Sequence, residues 1–235
     1  AHDITIPDSI NSTLDVWTIE TIVAIVELLA LCSVGHHAEV ARIVRQYLPL
    51  ESVLGVLADT ETPLPYEQQV PFMKYLVEAW WNQEPDPADY QDQKFRWAIW
   101  GPWWAVVQAF HDFIVEEIMP LGSGEQVLQE ADVKARVHYL FDGVVYCLSE
   151  YCRQWWQCSE DDVPGRLKTP LLKIAKIMEL LGIVVQDKEL LDLMDLDMEH
   201  FGALDTFFEA LSGTNVSEIE EALPHMRITL WRARF

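Results

Sequence analysis

The stretch LADTETPLPYEQQVPFMKYLVEAWW, residues 57–81, joins an acidic segment to an apolar helix through two closely spaced prolines. Pro63 and Pro65 exclude one continuous helix, because proline lacks a backbone N–H and its ring clashes with the preceding turn. The fixed φ of Pro65 suits the first turn of a new helix. Pro71 predicts a late start or a kink in that helix, whose apolar residues are Phe72, Met73, Leu76, Val77 and Trp80. We therefore predict a helix–helix elbow here rather than a catalytic loop.

The residues before this elbow show three more helical patterns. The first helix is predicted to start near residues 12–15, where Ser12 can act as a cap, and to end at Gly35. Glu20 and Glu27 lie seven residues apart, so they form a solvated stripe and interrupt an apolar run that would otherwise resemble a membrane span. The core side of this helix is expected to carry Ile22, Ile25, Val26, Leu29 and Cys32. Residues 37–48 and 50–59 give the next two helices.

Helical patterns also fill the rest of the chain. Gly101–Pro102 starts a helix with an apolar stripe of Trp103, Val106, Val107, Phe110, Ile114 and Ile118. LGSG, residues 121–124, is predicted to be a loop. A long helix over about residues 125–156 follows, with Val137, Leu140, Phe141, Val144, Val145 and Leu148 on one side. The polar connector at residues 159–168 suggests a helical array over residues 1–158 and a smaller helical subdomain over residues 159–235.

Strand patterns are almost absent from the sequence. About ten helices joined by short connections predict an all-α fold of stacked antiparallel helices, either an irregular armadillo-like solenoid or a bundle. No exact repeat is visible at the periods typical of helical repeat proteins.

The chain is strongly acidic, with 38 acidic and 16 basic residues and a formal net charge of -22. Such a surface repels nucleic-acid phosphates and anionic lipids, so we expect protein partners with basic surfaces and no nucleic acid. Mimicry of DNA is a less favoured alternative. The N-terminal AHDITIP lacks the pattern of a signal peptide. The cysteines are expected to be reduced core residues, which favours a cytoplasmic location; they are Cys32, Cys147, Cys152 and Cys158.

Catalytic and metal-binding patterns are weak, and we predict no enzyme activity, no metal and no cofactor. The spacing of Cys147, Cys152 and Cys158, with His138 upstream, is wider than in typical zinc sites. The spacing of Cys32, His36 and His37 does not match a typical zinc site either. A calcium-binding loop of the EF-hand type starting at Asp195 would have suitable ligands in Asp197 and Glu199. It would lack the required glycine at position six, which is His200, and the required glutamate at position twelve, which is Thr206.

The carboxylate pairs are consecutive in sequence, so on a helix they point in different directions and cannot share a substrate. Examples are Glu116–Glu117 and Asp161–Asp162. His111–Asp112 is a lone dipeptide. No P-loop, G-x-S-x-G or G-x-G-x-x-G motif is present. A hydrolase whose site is scattered over the chain remains the enzyme alternative.

The ten tryptophans include three adjacent pairs that are candidates for a protein interface, because tryptophan is enriched in interface hot spots. In each pair the second ring lies about 100° around the helix from the first. The alternative is that both rings are buried between helices. The candidate interface residues are Trp80, Trp81, Trp103, Trp104, Trp155 and Trp156.

Residues 17–87 resemble part of the cytoplasmic helical domain shared by inositol trisphosphate receptors and ryanodine receptors. The likeness is carried by ETIVAIVELLALCSVGHHAEVARIV and by YLPLESVLGVLADTETPLPYEQQVPFMKYLVEAWWNQEPDP. Its landmarks are Ala58–Asp59, Leu64–Pro65–Tyr66, Phe72 and Glu84–Pro85. HDFIVEEI and VHYLFDGVVYCLSEY are similar to the helices that follow. The tryptophan pairs and Pro71 depart from the pattern, and the family's basic phosphate-binding cluster has no counterpart.

The resemblance implies an armadillo-like arm of an intracellular calcium-release channel. Such an arm is non-catalytic, contacts neighbouring helical domains, and relays conformational change on the cytosolic face of an internal membrane. No ligand-binding residue is carried over. The alternative is a stand-alone acidic adaptor that binds a basic protein through a tryptophan-lined groove. A channel segment should have an apolar flank that is buried only by flanking domains, whereas an adaptor should be covered by its own helices.

Overall fold

The computed structural model describes residues 13–35, 38–83, 101–123, 129–154, 168–213, 221 and 224–227. All regular elements in these ranges are helical, and no strand occurs among them. The predicted all-α fold class is therefore confirmed.

The chain forms two compact units, Ala1–Val106 and Val107–Phe235. The predicted boundary between residues 158 and 159 lies outside the described residues.

The described part of the first unit is organised around its fourth helix. Its helices are α1 (Thr13–Ser33), α2 (Ala38–Tyr47), α3 (Leu50–Ala58) and α4 (Tyr66–Leu76). α4 continues as a π-helical segment, Val77–Trp81, whose hydrogen bonds span five residues, as from Asn82 N to Val77 O at 2.8 Å. α1 and α3 pack on α4, and α2 packs on α1 and on the π-helical segment.

α4 and its extension are apolar on almost every side, which explains their central position. The predicted core residues of this helix are all buried, and Val70, Tyr75, Ala79 and Trp81 are buried with them. α4 begins at Tyr66, directly after Pro65. The late start suggested by Pro71 is therefore wrong, because this proline lies inside the helix.

The elbow between α3 and α4 is held by one carboxylate and one amide. Asp59 Oδ1 accepts hydrogen bonds from the backbone N–H groups of Glu61 (2.9 Å) and Thr62 (3.0 Å), and its Oδ2 accepts from the Thr62 hydroxyl at 2.8 Å. Gln69 Nε2 donates to the Leu64 carbonyl at 2.6 Å. These bonds stabilise a turn in which the prolines leave few backbone donors.

The described helices of the second unit begin with α5 (Pro102–Phe113), inside which the division between the units falls. The others are α6 (Glu130–His138), α7 (Tyr146–Gln154), α8 (Lys168–Val184), α9 (Lys188–Met194) and α10 (Met198–Ser212). A π-helical segment, Ile114–Ile118, and a 3₁₀ turn, Met119–Ser123, extend α5. The predicted loop at residues 121–124 is thus a 3₁₀ turn as far as residue 123. A second π-helical segment, Tyr139–Val145, joins α6 to α7.

α10 packs on α7 and on the segment Tyr139–Val145, and α8 packs on α10 and on the segment Ile114–Ile118. α9 packs on α6 and on the 3₁₀ turn. Both predicted stripes of these helices are buried throughout, so their sequence periodicity identified the core correctly.

Candidate functional site

The predicted interface tryptophans are mostly buried. The rings of Trp81 and Trp103 are fully buried and meet edge to face, with centroids 5.3 Å apart and an interplanar angle of 72°. Trp80 is 9% exposed and Trp104 is half-buried. Trp155 and Trp156 lie outside the described residues. Trp81 and Trp103 therefore form part of the core, and the interface role of the set stays a prediction.

Arg45 of α2 covers Trp80. Its guanidinium carbon lies 4.5 Å from the centroid of the Trp80 ring, and its Nε donates to the carbonyl of Ala79 at 2.6 Å. Ala79 lies in the last turn of the helix, where backbone carbonyls have no partner within the helix, so it can accept a bond from another element. The contact ties α2 to the end of α4.

Among the described residues of the first unit, the most exposed large apolar side chains lie on α1. One side of this helix, with Ile19, Val26, Ala30 and Ser33, is buried. Five residues at helical spacing on the opposite side carry exposed apolar or thiol side chains, and we call them the outer face: Ala24, Ile25, Leu28, Leu31 and Cys32. The exposed fractions of Ile25, Leu28 and Leu31 are 39%, 59% and 65%.

The outer face corrects two predictions. Ile25 and Cys32 were expected on the core side of α1, and both are exposed. The sequence failed here because apolar residues occupy most of the circumference of α1 apart from the edge with Glu20 and Glu27, so periodicity does not single out one core side. That breadth is itself a signal, since a helix with so wide an apolar surface is normally covered on more than one side.

Glu20 and Glu27 are exposed, as predicted. At 100° per residue they lie next to the row formed by Ala24 and Leu31, so they border the outer face along one edge. The surface of α1 thus combines an apolar strip with an acidic edge.

A polar cluster on α5 is confined to one stretch of helix. Gln108 Nε2 donates to both carboxylate oxygens of Asp112, at 2.7 and 2.9 Å, and His111 Nδ1 lies 2.9 Å from Asp112 Oδ1. Burial raises the pKa of Asp112, but the bonds from Gln108 and His111 and the charges of His111 and Lys173 outweigh it, so the pKa is lowered. The cluster therefore keeps Asp112 ionised.

The candidate metal ligands are dispersed. Within the described ranges no group of three or more His, Cys, Asp or Glu side chains could hold a metal ion. Cys147 and Cys152 are buried, as predicted, and burial raises the pKa of Cys152. Cys158, His36 and His37 lie outside the described residues.

The calcium-loop candidate is the start of a helix. Asp197 Oδ1 caps α10 by accepting from Glu199 N at 2.9 Å and His200 N at 3.2 Å. The His200 ring packs edge to face against Phe141, with centroids 4.6 Å apart. Asp195 ends α9 in the left-handed region, with φ 50°. Asp197 therefore satisfies backbone donors in this structure.

In the part of the chain that the structure describes, none of the helices has both the length and the apolar character needed to cross a bilayer. Comparison with models of known protein families finds no match, and comparisons with curated proteins and with solved structures find none either. The resemblance to calcium-release channels therefore rests on the sequence pattern.

Proposed function

We propose that this chain is a non-catalytic helical module that binds another protein domain through the outer face of α1. The observation that carries the proposal is the exposure of Leu28 and Leu31 near the C-terminal end of α1, a helix whose opposite side is buried. Covering the exposed parts of these two side chains would contribute roughly 1 kcal/mol each, on the usual scale for burying a leucine. Contiguous apolar surface of this kind typically marks a protein contact.

The form of the module that we favour is the arm of a calcium-release channel, in which adjoining helical domains cover α1 and movement passes through the stacked helices. The sequence resemblance supports this form. The exposed outer face of α1 also supports it, because a channel segment is expected to have an apolar flank that only flanking domains cover. The second candidate is a stand-alone adaptor for a basic protein, which is favoured by the net charge of -22 and by the acidic edge of α1. Because an adaptor is expected to be covered by its own helices, the exposed outer face favours the channel arm; in either form, binding through this face means that a partner covers α1 in the native assembly.

Cys32 provides the test, because it lies on the outer face and is exposed while Cys147 and Cys152 are buried. The purified chain and the intact native assembly would be alkylated with a thiol reagent under non-denaturing conditions and then digested with trypsin. Trypsin places Cys32 in a different peptide from Cys147 and Cys152. The first Lys or Arg of the sequence is Arg42, and Cys147 and Cys152 lie together between Arg136 and Arg153.

We expect Cys32 to react quickly in the purified chain and to be protected at least tenfold in the native assembly. Cys147 and Cys152 serve as internal controls and should react slowly in both samples. Equal reactivity of Cys32 in both samples, with the controls still protected, would show that α1 stays uncovered and would overturn the proposal.

A further inference from the structure

We infer that the element docking on α1 is an amphipathic helix with Lys or Arg along the edge that faces Glu20 and Glu27. The inference rests on the proposed function and names the chemistry of the partner.

The geometry of the outer face suits a helix. Its apolar residues recur at three and four residues, and rows of side chains at these spacings are the ridges by which one helix packs on another. From Ala24 to Cys32 the face extends about 12 Å along the axis, at 1.5 Å per residue. A partner helix of about three turns would cover it, as α4 covers the other side.

The acidic edge sets the charge of the partner. Glu20 and Glu27 are both exposed and lie about 10 Å apart along α1, at 1.5 Å per residue. Cations seven residues apart on the partner helix would match this spacing. Complementary charges at such positions determine the choice of partner between helices.

The other possible occupants fit less well. A second copy would bring two acidic edges to one interface between molecules that each carry a net charge of -22. An anionic membrane surface would be repelled by the same charge. A basic helix is the occupant for which both the apolar strip and the acidic edge are favourable.

The test uses two 21-residue model peptides, each with leucines at the a and d positions of three heptads. One carries Lys at the e and g positions and the other carries Glu there. Binding of each labelled peptide to the 235-residue chain would be followed by fluorescence anisotropy at low and high salt. We expect the Lys peptide to bind at least tenfold more tightly than the Glu peptide, and the difference to shrink in high salt.

Charge reversal on α1 tests whether Glu20 and Glu27 determine the preference for the Lys peptide. The double variant Glu20→Lys/Glu27→Lys should lose the preference for the Lys peptide and bind the Glu peptide more tightly. The control Glu61→Lys/Glu209→Lys changes the net charge equally at exposed positions outside α1 and should keep the wild-type preference. If both double variants behave alike, net charge alone governs binding and the inference is overturned.

The apolar strip is tested with Leu28→Ser/Leu31→Ser, which should weaken the binding of both peptides. If this variant weakens the binding of both peptides but the wild type binds the Lys and Glu peptides equally well, the proposed docking face stands and the basic partner is overturned. Binding of neither peptide also overturns the inference, while the Cys32 footprint still decides the proposed function. A dimer seen by sedimentation and abolished by Leu28→Ser would assign the face to a second copy instead.

Discussion

Arg45 and Trp80 form a stacked pair in which the same guanidinium group also donates to the Ala79 carbonyl. We predict that Arg45→Met lowers the free energy of unfolding by about 2 kcal/mol, because it removes a cation–π contact and a charge-assisted hydrogen bond. Arg45→Lys should fall between wild type and Arg45→Met, since lysine keeps the charge but not the planar donor. Urea unfolding followed by tryptophan fluorescence measures the change.

Arg42→Met on the same helix is the matched control. Arg42 pairs with Glu39 at 2.9 Å, but both side chains are largely exposed, and such pairs contribute about 0.5 kcal/mol. Equal losses for the two variants would contradict a specific role for the Arg45 contact.

Tyr75→Phe is expected to cost about 1–2 kcal/mol of stability, because the buried Tyr75 hydroxyl donates to the Leu48 carbonyl at 2.8 Å. Tyr47→Phe, at an exposed position, should leave the unfolding midpoint unchanged. Thermal and urea unfolding of the two variants give the comparison.

The pH dependence of the same residue provides an independent measurement. Burial raises the pKa of the Tyr75 hydroxyl above its ordinary value of 10.0. The unfolded chain therefore loses this proton at lower pH than the folded chain, and the stabilisation is present below pH 10.0 and declines as the pH rises above it. Unfolding midpoints from pH 8 to 11 should fall less steeply in Tyr75→Phe; identical slopes would contradict the prediction.

Two glycines should respond to alanine in opposite directions. A Cβ on Gly55, inside α3, would meet no atom within 4 Å, so Gly55→Ala should stabilise by about 0.5–1 kcal/mol. A Cβ on Gly122 would lie 2.8 Å from Asp187 Oδ2. Since Asp187 caps α9, Gly122→Ala should destabilise by about 1 kcal/mol, as loss of a cap does. Differential scanning calorimetry would show midpoints shifted in opposite directions.

The double variant Gly122→Ala/Asp187→Ala tests whether the clash with Asp187 causes the destabilisation by Gly122→Ala. Once the carboxylate is removed, the added methyl group should cost little, so the double variant should match Asp187→Ala alone. Strict additivity would show that the effect of Gly122→Ala arises elsewhere.

Asp59 should titrate at unusually low pH. The backbone N–H and hydroxyl of Thr62, together with the Glu61 N–H, hold the pKa of its carboxyl below the ordinary 3.8. Stabilisation from this group is therefore complete above pH 3.8 and is lost as the pH falls through the folded pKa. The ¹³C shift of the Asp59 carboxyl would give the midpoint directly.

Thr62→Val is the informative variant for this titration, because it removes the hydroxyl that donates to Asp59 and keeps the backbone N–H of residue 62 that also donates to it. Its Asp59 midpoint should lie between that of the wild type and 3.8. An unchanged midpoint would assign the whole shift to the backbone.

The residue pattern was sufficient to predict much of the fold. The all-α class, the helix start at Pro102 and the buried stripes of α5 and of the helix through Tyr139–Val145 all followed from apolar periodicity and proline positions. Gly35, with φ 96°, lies just past the end of α1, as expected for a glycine in the left-handed region.

The features that the sequence did not predict have two physical causes. Apolar residues occupy most of the circumference of α1, so the side that faces the unit depends on its packing against α4 and not on its own periodicity. The π-helical segments arise where a helix accommodates one extra residue, and this also depends on tertiary packing rather than on local propensity. The exposed face that carries the proposed function belongs to the first of these cases.

The segment Tyr139–Val145 also marks a place where the length of the chain can vary. Because a π-helical turn contains more residues than an α-helical turn, deleting one residue there would restore regular α-helical winding and leave α7 in nearly the same orientation relative to α6. Buried residues of α7 such as Leu148 and Cys152 would then keep their places in the core. A related chain lacking this residue could keep the same apolar side on α7, so an alignment of such relatives should allow a single-residue gap at this segment.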